Sequence, residues 1–135
     1  MTLVDTNILL DVIDSQSDWS EWSRAHLLAA SMRGVLFINE IVYAELAVRF
    51  DKRRDVDDFL SAASLTFLPI SRDALFLASR VFRVYRRQGG PRSSILPDFF
   101  IGAQAAVHEF AIITRDTRRY KSYFPDLELI APGAH

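Results

Sequence analysis

Cysteine is absent from the 135 residues, so no disulfide and no thiolate metal site can form; any metal must be held by oxygen or imidazole. Imidazole is scarce as well. His26, His108 and His135 lack paired metal-ligand spacing and read as structural or solvent-facing groups. Glycine and proline, five each, mark a few turns, and no low-complexity segment occurs. With half the residues hydrophobic, a disordered chain is excluded. Nowhere do about 18 apolar residues run together as a membrane helix requires. The opening residues read as a strand, not as the basic flank and apolar core of a targeting segment. The expectation is a cytoplasmic protein without a membrane segment, a single domain over 1–135 with one well-filled core.

Net charge is also nearly missing, at −1, but its distribution is uneven. Residues 1–71 hold 11 acids against 6 bases, whereas residues 72–135 hold 6 acids against 10 bases. The basic excess falls in Arg80, Arg83, Arg86, Arg87 and Arg92, then in Arg115, Arg118, Arg119 and Lys121. A positive rim around a negative, metal-loaded centre suits a phosphodiester substrate, because arginine holds phosphate while the metal acts on it. A solvated face of an amphipathic helix is the competing account of the same arginines.

Four acids stand at strand ends or on helices beside them: Asp5, Glu45, Asp98 and Asp116. Asp5 ends the apolar run 1–4 and Asp116 follows the apolar run 111–114, so both carboxylates are expected at one edge of a sheet. Asp98 follows Pro97 at a helix start, and Glu45 lies in the helix after the run 35–38. Gathering four negative charges costs several kcal/mol unless a cation offsets them. Oxygen donors favour Mg2+ or Mn2+.

Strand and helix signals alternate along the chain. Strands are expected at 2–5, 35–38, 65–68, 111–114 and 127–130. Helices are expected at about 8–14 behind Thr6-Asn7 caps, from Ser17 or Asp18 to Gly34, from Asn39 toward Arg49, and over 55–63. Three more are expected: from Ser71 or Asp73 to the Gly89-Gly90-Pro91 break, from Pro97 to about Phe110, and over 117–123. The second helix carries its apolar stripe on Trp19, Trp22, Ala25, His26, Leu27, Ala29 and Ala30. This alternation predicts a three-layer α/β/α sandwich around a mainly parallel sheet of four to five strands, with the site at the carboxyl ends of the strands. If the first and fourth strands are neighbours, Asp5 and Asp116 converge.

Four segments in order, Leu3-Val4-Asp5-Thr6-Asn7-Ile8-Leu9-Leu10, Tyr43-Ala44-Glu45-Leu46, Leu96-Pro97-Asp98-Phe99-Phe100-Ile101-Gly102-Ala103 and Ile113-Thr114-Arg115-Asp116, resemble the signatures of the PIN domain. More closely they resemble the VapC-type ribonuclease toxins of bacterial and archaeal toxin–antitoxin pairs, over nearly the whole chain from Thr2 to about Ile130. The resemblance implies a Mg2+- or Mn2+-dependent endoribonuclease, a homodimer held inactive by a small antitoxin protein. It implies that Asp5, Glu45, Asp98 and Asp116 form the acidic metal site, with Asn7 and Thr114 in support. Asp5 and Asp98 are taken as direct ligands and Glu45 as a ligand or water-orienting base, with one metal or two.

Each residue also has a structural account. Asp5 can cap the first helix, although Thr6 and Asn7 already offer caps. Asp98 can be a first-turn acid favoured by the helix dipole, the role that suffices for Glu40. Asp116 can be a salt-bridge partner of Arg115, Arg118 and Arg119. Asp11 and Asp14 are expected to be helix-surface acids. Trp19 and Trp22, three apart, fit a core face better than a partner-binding patch. The function classes left open are the nuclease toxin, a housekeeping RNA-processing nuclease, and a non-catalytic PIN-like scaffold that binds nucleic acid or protein.

Overall fold

A computed structural model describes residues 1–133; His135 lies outside them. The elements are β1 (Thr2–Val4), α1 (Thr6–Ile13), α2 (Ser20–Arg33), β2 (Leu36–Ile38), α3 (Glu40–Ala47), α4 (Arg53–Ala62), β3 (Leu65–Phe67), α5 (Arg72–Arg87), α6 (Pro97–His108), β4 (Ala111–Ile113), α7 (Arg118–Tyr123) and β5 (Leu129–Ile130). The five strands form one parallel sheet in the order β3-β2-β1-β4-β5. Chain order runs outward from β1 to β3 on one side, then returns to β4 and β5 on the other. The strand order therefore reverses between β1 and β4, which is where an open parallel sheet leaves a crevice.

Helices cover both faces of this sheet, giving the expected α/β/α sandwich. β1 and β4 are buried at every residue, as strands covered on both faces must be. The register pairs Val4 with Ile113, so the residues that follow, Asp5 and Thr114, leave the sheet side by side.

Several boundaries differ from the sequence expectation, each for a local reason. α1 begins at Thr6, two residues early, because Asp5 is its cap: the Asp5 carboxylate accepts from the Thr6 backbone N–H at 2.8 Å. Thr6 and Asn7, expected as the caps, turn their polar groups elsewhere. α2 begins at Ser20, because Ser17 spends its hydroxyl on Asp11. The buried residues of α2 are Ser20, Ser23, Leu27 and Ala30, whereas Trp19, Ala25 and Ala29 are exposed. Of the expected stripe, Leu27 and Ala30 are buried and Trp22 and His26 half-buried, while Ser23, its hydroxyl satisfied by Asp11, takes a core position that an apolar pattern does not mark.

Two contacts fix the helices that carry the acids. Asn39 caps α3 by accepting from Val42 N–H and donates its amide to Gln104 Oε1 at 2.9 Å. Gln104 donates in turn to the carbonyls of Leu68 and Pro69, so one buried amide pair locks α3, α6 and the end of β3 together. On α6, a Cβ at Gly102 would come within 2.5 Å of the Phe124 ring, so only glycine lets the end of α7 approach this closely. Glu40 Oε1 accepts from Ile70 N–H, a bond across elements in addition to its first-turn position.

Candidate metal and nucleic-acid site

The sharp turn from β1 into α1 places Asp5 at the crevice, only 6% exposed. Its Oδ2 accepts from Thr114 Oγ1 at 2.8 Å and from Tyr120 OH at 3.0 Å, while Oδ1 takes the Thr6 amide. Burial nevertheless disfavours the charged form more than these donors favour it. With the negative charge of Asp98 adding to the effect, the Asp5 carboxyl is pushed up to about 6.

The other three acids each have partners of their own. Thr6 Oγ1 donates to Glu45 Oε1 at 2.8 Å, which brings the exposed Glu45 of α3 to the start of α1. Asp98, at the first turn of α6, pairs with Arg119 Nη1 at 3.2 Å through Oδ2. Asp116 is exposed in the loop after β4, and the Thr114 hydroxyl both accepts from its backbone N–H and contacts its carbonyl. Tyr120 is buried at the centre. Burial first, then the charges of Asp5, Asp98 and Asp116, raise its hydroxyl well above the usual phenol range, so it stays a donor.

Asn7 and Thr114 both touch the site. Asn7 Nδ2 donates to Thr114 Oγ1 at 3.3 Å, and Asn7 Oδ1 accepts from the Arg115 backbone N–H at 3.0 Å. The α1 start is thus tied to the loop that presents Asp116.

The arginines divide into engaged and exposed groups. Arg83 and Arg87 are exposed on α5. Arg86 donates to the carbonyls of Gly90 and Arg92, closing the turn after α5. Tyr123 OH donates to Gln88 Oε1 at 3.2 Å, so this end of α5 adjoins α7. Arg118 is exposed, Arg119 is on Asp98, and Arg115 is bound to Asp11.

Asp11 corrects an expectation. It is buried, not on the helix surface, and accepts from Arg115, Ser17 and Ser23. Burial works against its charge, but the Arg115 hydrogen bonds with those of Ser23 and Ser17 prevail and hold the carboxyl below its ordinary value. Its position three residues after the buried Ile8 was the available signal. Tyr120 and Thr6 were likewise not read as site residues, because a helical tyrosine and a cap hydroxyl each have a commoner role. Trp19 lies over the Arg115 guanidinium at 5.5 Å instead of in the core. His26 stacks on Trp22 and His108 on Phe110, the structural roles expected of them.

The donor set is all oxygen, which matches a hard divalent cation such as Mg2+ or Mn2+. Asp5 Oδ1 carries the Thr6 amide alone, and Asp98 has Oδ1 beyond its arginine, so both retain lone pairs for a metal among the described residues. Among the described residues, no group of three acids or histidines is set to hold a metal ion as the side chains stand. Also among these residues, no helix is long and apolar enough to cross a membrane.

Solved structures share this arrangement of elements. VapBC2 from Rickettsia felis bound to a DNA fragment from their promoter is similar at TM-score 0.73 and 19% identity, over 96% of this chain and 97% of that one. A toxin–antitoxin complex from Klebsiella pneumoniae is similar at TM-score 0.72 and 24% identity, over the whole of both chains. FitAcB from Neisseria gonorrhoeae is similar at TM-score 0.65 and 22% identity, over 96% of each. At these identities the likeness is one of fold. No curated protein matches the sequence. The PIN domain family model, in contrast, matches residues 2–124, a span that contains all four acids, and this chain belongs to the PIN domain family.

Proposed function

We propose that this PIN domain is a metal-dependent endoribonuclease, the toxin of a toxin–antitoxin pair. The observation that carries the reading is the placement of Asp5, a buried carboxylate at the β1/β4 switch point, close enough to Asp98 to feel its charge and next to Thr6, which holds Glu45. A buried acid that resists ionisation beside further acids gains most from a divalent cation. Asp5 and Asp98 would hold Mg2+ or Mn2+, with Glu45 and Asp116 reaching it directly or through water. A divalent cation bound there supplies a polarised phosphodiester and an activated water.

The protein's own groups do the rest. Thr114 and Tyr120 hold Asp5 Oδ2 and leave Oδ1, with the Thr6 amide, as the atom that would meet a cation. Thr6 donates to Glu45, which would serve as a ligand or a water-orienting base. Exposed Arg83, Arg87, Arg92 and Arg118 offer contacts for RNA phosphates. The toxin assignment draws on the structural neighbours, which include complexes of toxins with antitoxins. A small antitoxin and a second copy of this chain are the partners that assignment brings.

Cleavage of RNA by the purified chain, with Mg2+ or Mn2+ and with chelator, tests the proposal. Activity is expected only with metal, and Asp5→Asn and Asp98→Asn are expected to lose it while remaining folded. Undiminished cleavage by both variants would take the chemistry away from these carboxylates, and no cleavage by wild type with metal would leave a scaffold that binds without cutting.

A further inference from the structure

Two consecutive residues of α7 grip two carboxylates that arise from different parts of the chain. Tyr120 donates to Asp5, at the end of β1, and Arg119 pairs with Asp98, at the start of α6. Asp5 and Asp98 lie close enough for their charges to repel. Among the described residues, Arg119 is the one cation whose side chain is ion-paired with any of the four acids. The contact is open to water, with side chains 40% and 25% exposed, and ion pairs of that kind are weak and separable. A guanidinium and a divalent cation at neighbouring points also repel one another, so each opposes the other's hold on Asp98.

We infer that Arg119 is a tethered counter-ion, which neutralises Asp98 while the site lacks a divalent cation and must release it before the carboxylates close on one. The inference rests on the metal-site reading above. It accounts for an ion pair on Asp98 made by the residue adjoining the one that holds Asp5. Asp98 is paired with α7 through Arg119, and loading requires that pair to open. Tyr120 holds Asp5 separately, through its own hydrogen bond at 3.0 Å. Arg119 is accordingly a positioning residue that sets how readily the site loads.

Mn2+ binding to the full chain decides the matter, measured by calorimetry and by loss of the free-ion paramagnetic signal in wild type, Arg119→Gln and Arg119→Lys. Arg119→Gln is expected to bind roughly three- to tenfold more tightly, since one screened positive charge beside the ion is removed. Arg119→Lys, which keeps the charge, is expected to stay near wild type. The metal-free Arg119→Gln protein is expected to melt at a lower temperature, because Asp98 has lost its counter-charge. If wild type binds Mn2+ and Arg119→Gln binds no more tightly, the tethered counter-ion is wrong while the metal site stands. If neither protein binds Mn2+, both readings fall.

Discussion

Arg115 holds Asp11 with two nitrogens, Nε at 2.6 Å from Oδ2 and Nη2 at 3.0 Å from Oδ1, and so ties the loop that presents Asp116 to the middle of α1. Ser17 and Ser23 complete the shell around the buried carboxylate, and Trp19 covers the guanidinium. The Arg115 backbone N–H is fixed separately by Asn7. One arginine therefore connects α1, α2 and the site loop, a junction far more specific than a surface pair.

Removing the arginine should leave Asp11 buried without its main partner. Breaking a fully buried pair costs about 3–5 kcal/mol, and the partial exposure of Arg115 brings the expectation for Arg115→Ala to about 2–3 kcal/mol. The pH dependence gives the sign. The folded Asp11 carboxyl is below its unfolded value, so its contribution is present above pH 3.8 and disappears as pH falls through the folded value. Urea unfolding at pH 7 and at pH 3 should show the variant's deficit shrinking in acid. A deficit of equal size at both pH values would show that the arginine acts by packing alone.

The alternation of elements was legible because hydrophobic periodicity marks strands and helices; of the four acids, Asp5 and Asp116 follow strands, Asp98 opens α6 and Glu45 lies inside α3. Asp5, Thr6 and Asn7 are all good caps in succession, and nothing local decides which one turns inward; the sheet register does. Asp11 was misread because polarity suggests the surface, whereas its partners come from 6, 12 and 104 residues away. Serines in the buried face of α2 misled the stripe for the same reason. The grip of Arg119 and Tyr120 on Asp98 and Asp5 depends on how α6 and α7 pack, a tertiary relation that spacing along the chain does not encode.

Asp5 should make the metal-free protein less stable at neutral pH than in mild acid. Its folded value of about 6 lies above the unfolded 3.8, so the stability it contributes is complete below 3.8 and is lost as pH rises through 6. The loss amounts to roughly 3 kcal/mol. Denaturant unfolding in chelator between pH 4.5 and 7.5 should show this decline in wild type. Asp5→Asn should flatten it. A wild-type profile that is level or rising over this range would mean that the carboxylate is better solvated than its burial implies.

Metal should offset the same penalty. An ion that binds the native site alone stabilises it by about 2.7 kcal/mol at a hundredfold excess over its dissociation constant. For a domain of this size the melting temperature should rise by roughly 8–12 °C with Mn2+. Asp5→Asn should abolish most of the rise, and an undiminished rise in that variant would place the ion away from Asp5.

The exposed arginines of α5 separate substrate binding from chemistry. Arg83 and Arg87 are free of the contacts that make Arg86 part of the turn, so neutralising those two tests phosphate binding without disturbing the fold. Each phosphate contact to single-stranded nucleic acid contributes a slope of about −0.7 to the dependence of log affinity on log salt. The Arg83→Gln, Arg87→Gln protein should therefore bind labelled RNA more weakly, most of all at low salt, with the slope reduced by about 1.4. Cleavage at saturating RNA should change little, because the acids are untouched. The binding titration is made in an Asp98→Asn background to prevent cutting, at two salt concentrations. Identical slopes with and without the two arginines would mean that they only solvate the face of α5, and the RNA contacts would then lie with Arg118 and its neighbours in the loop after β4.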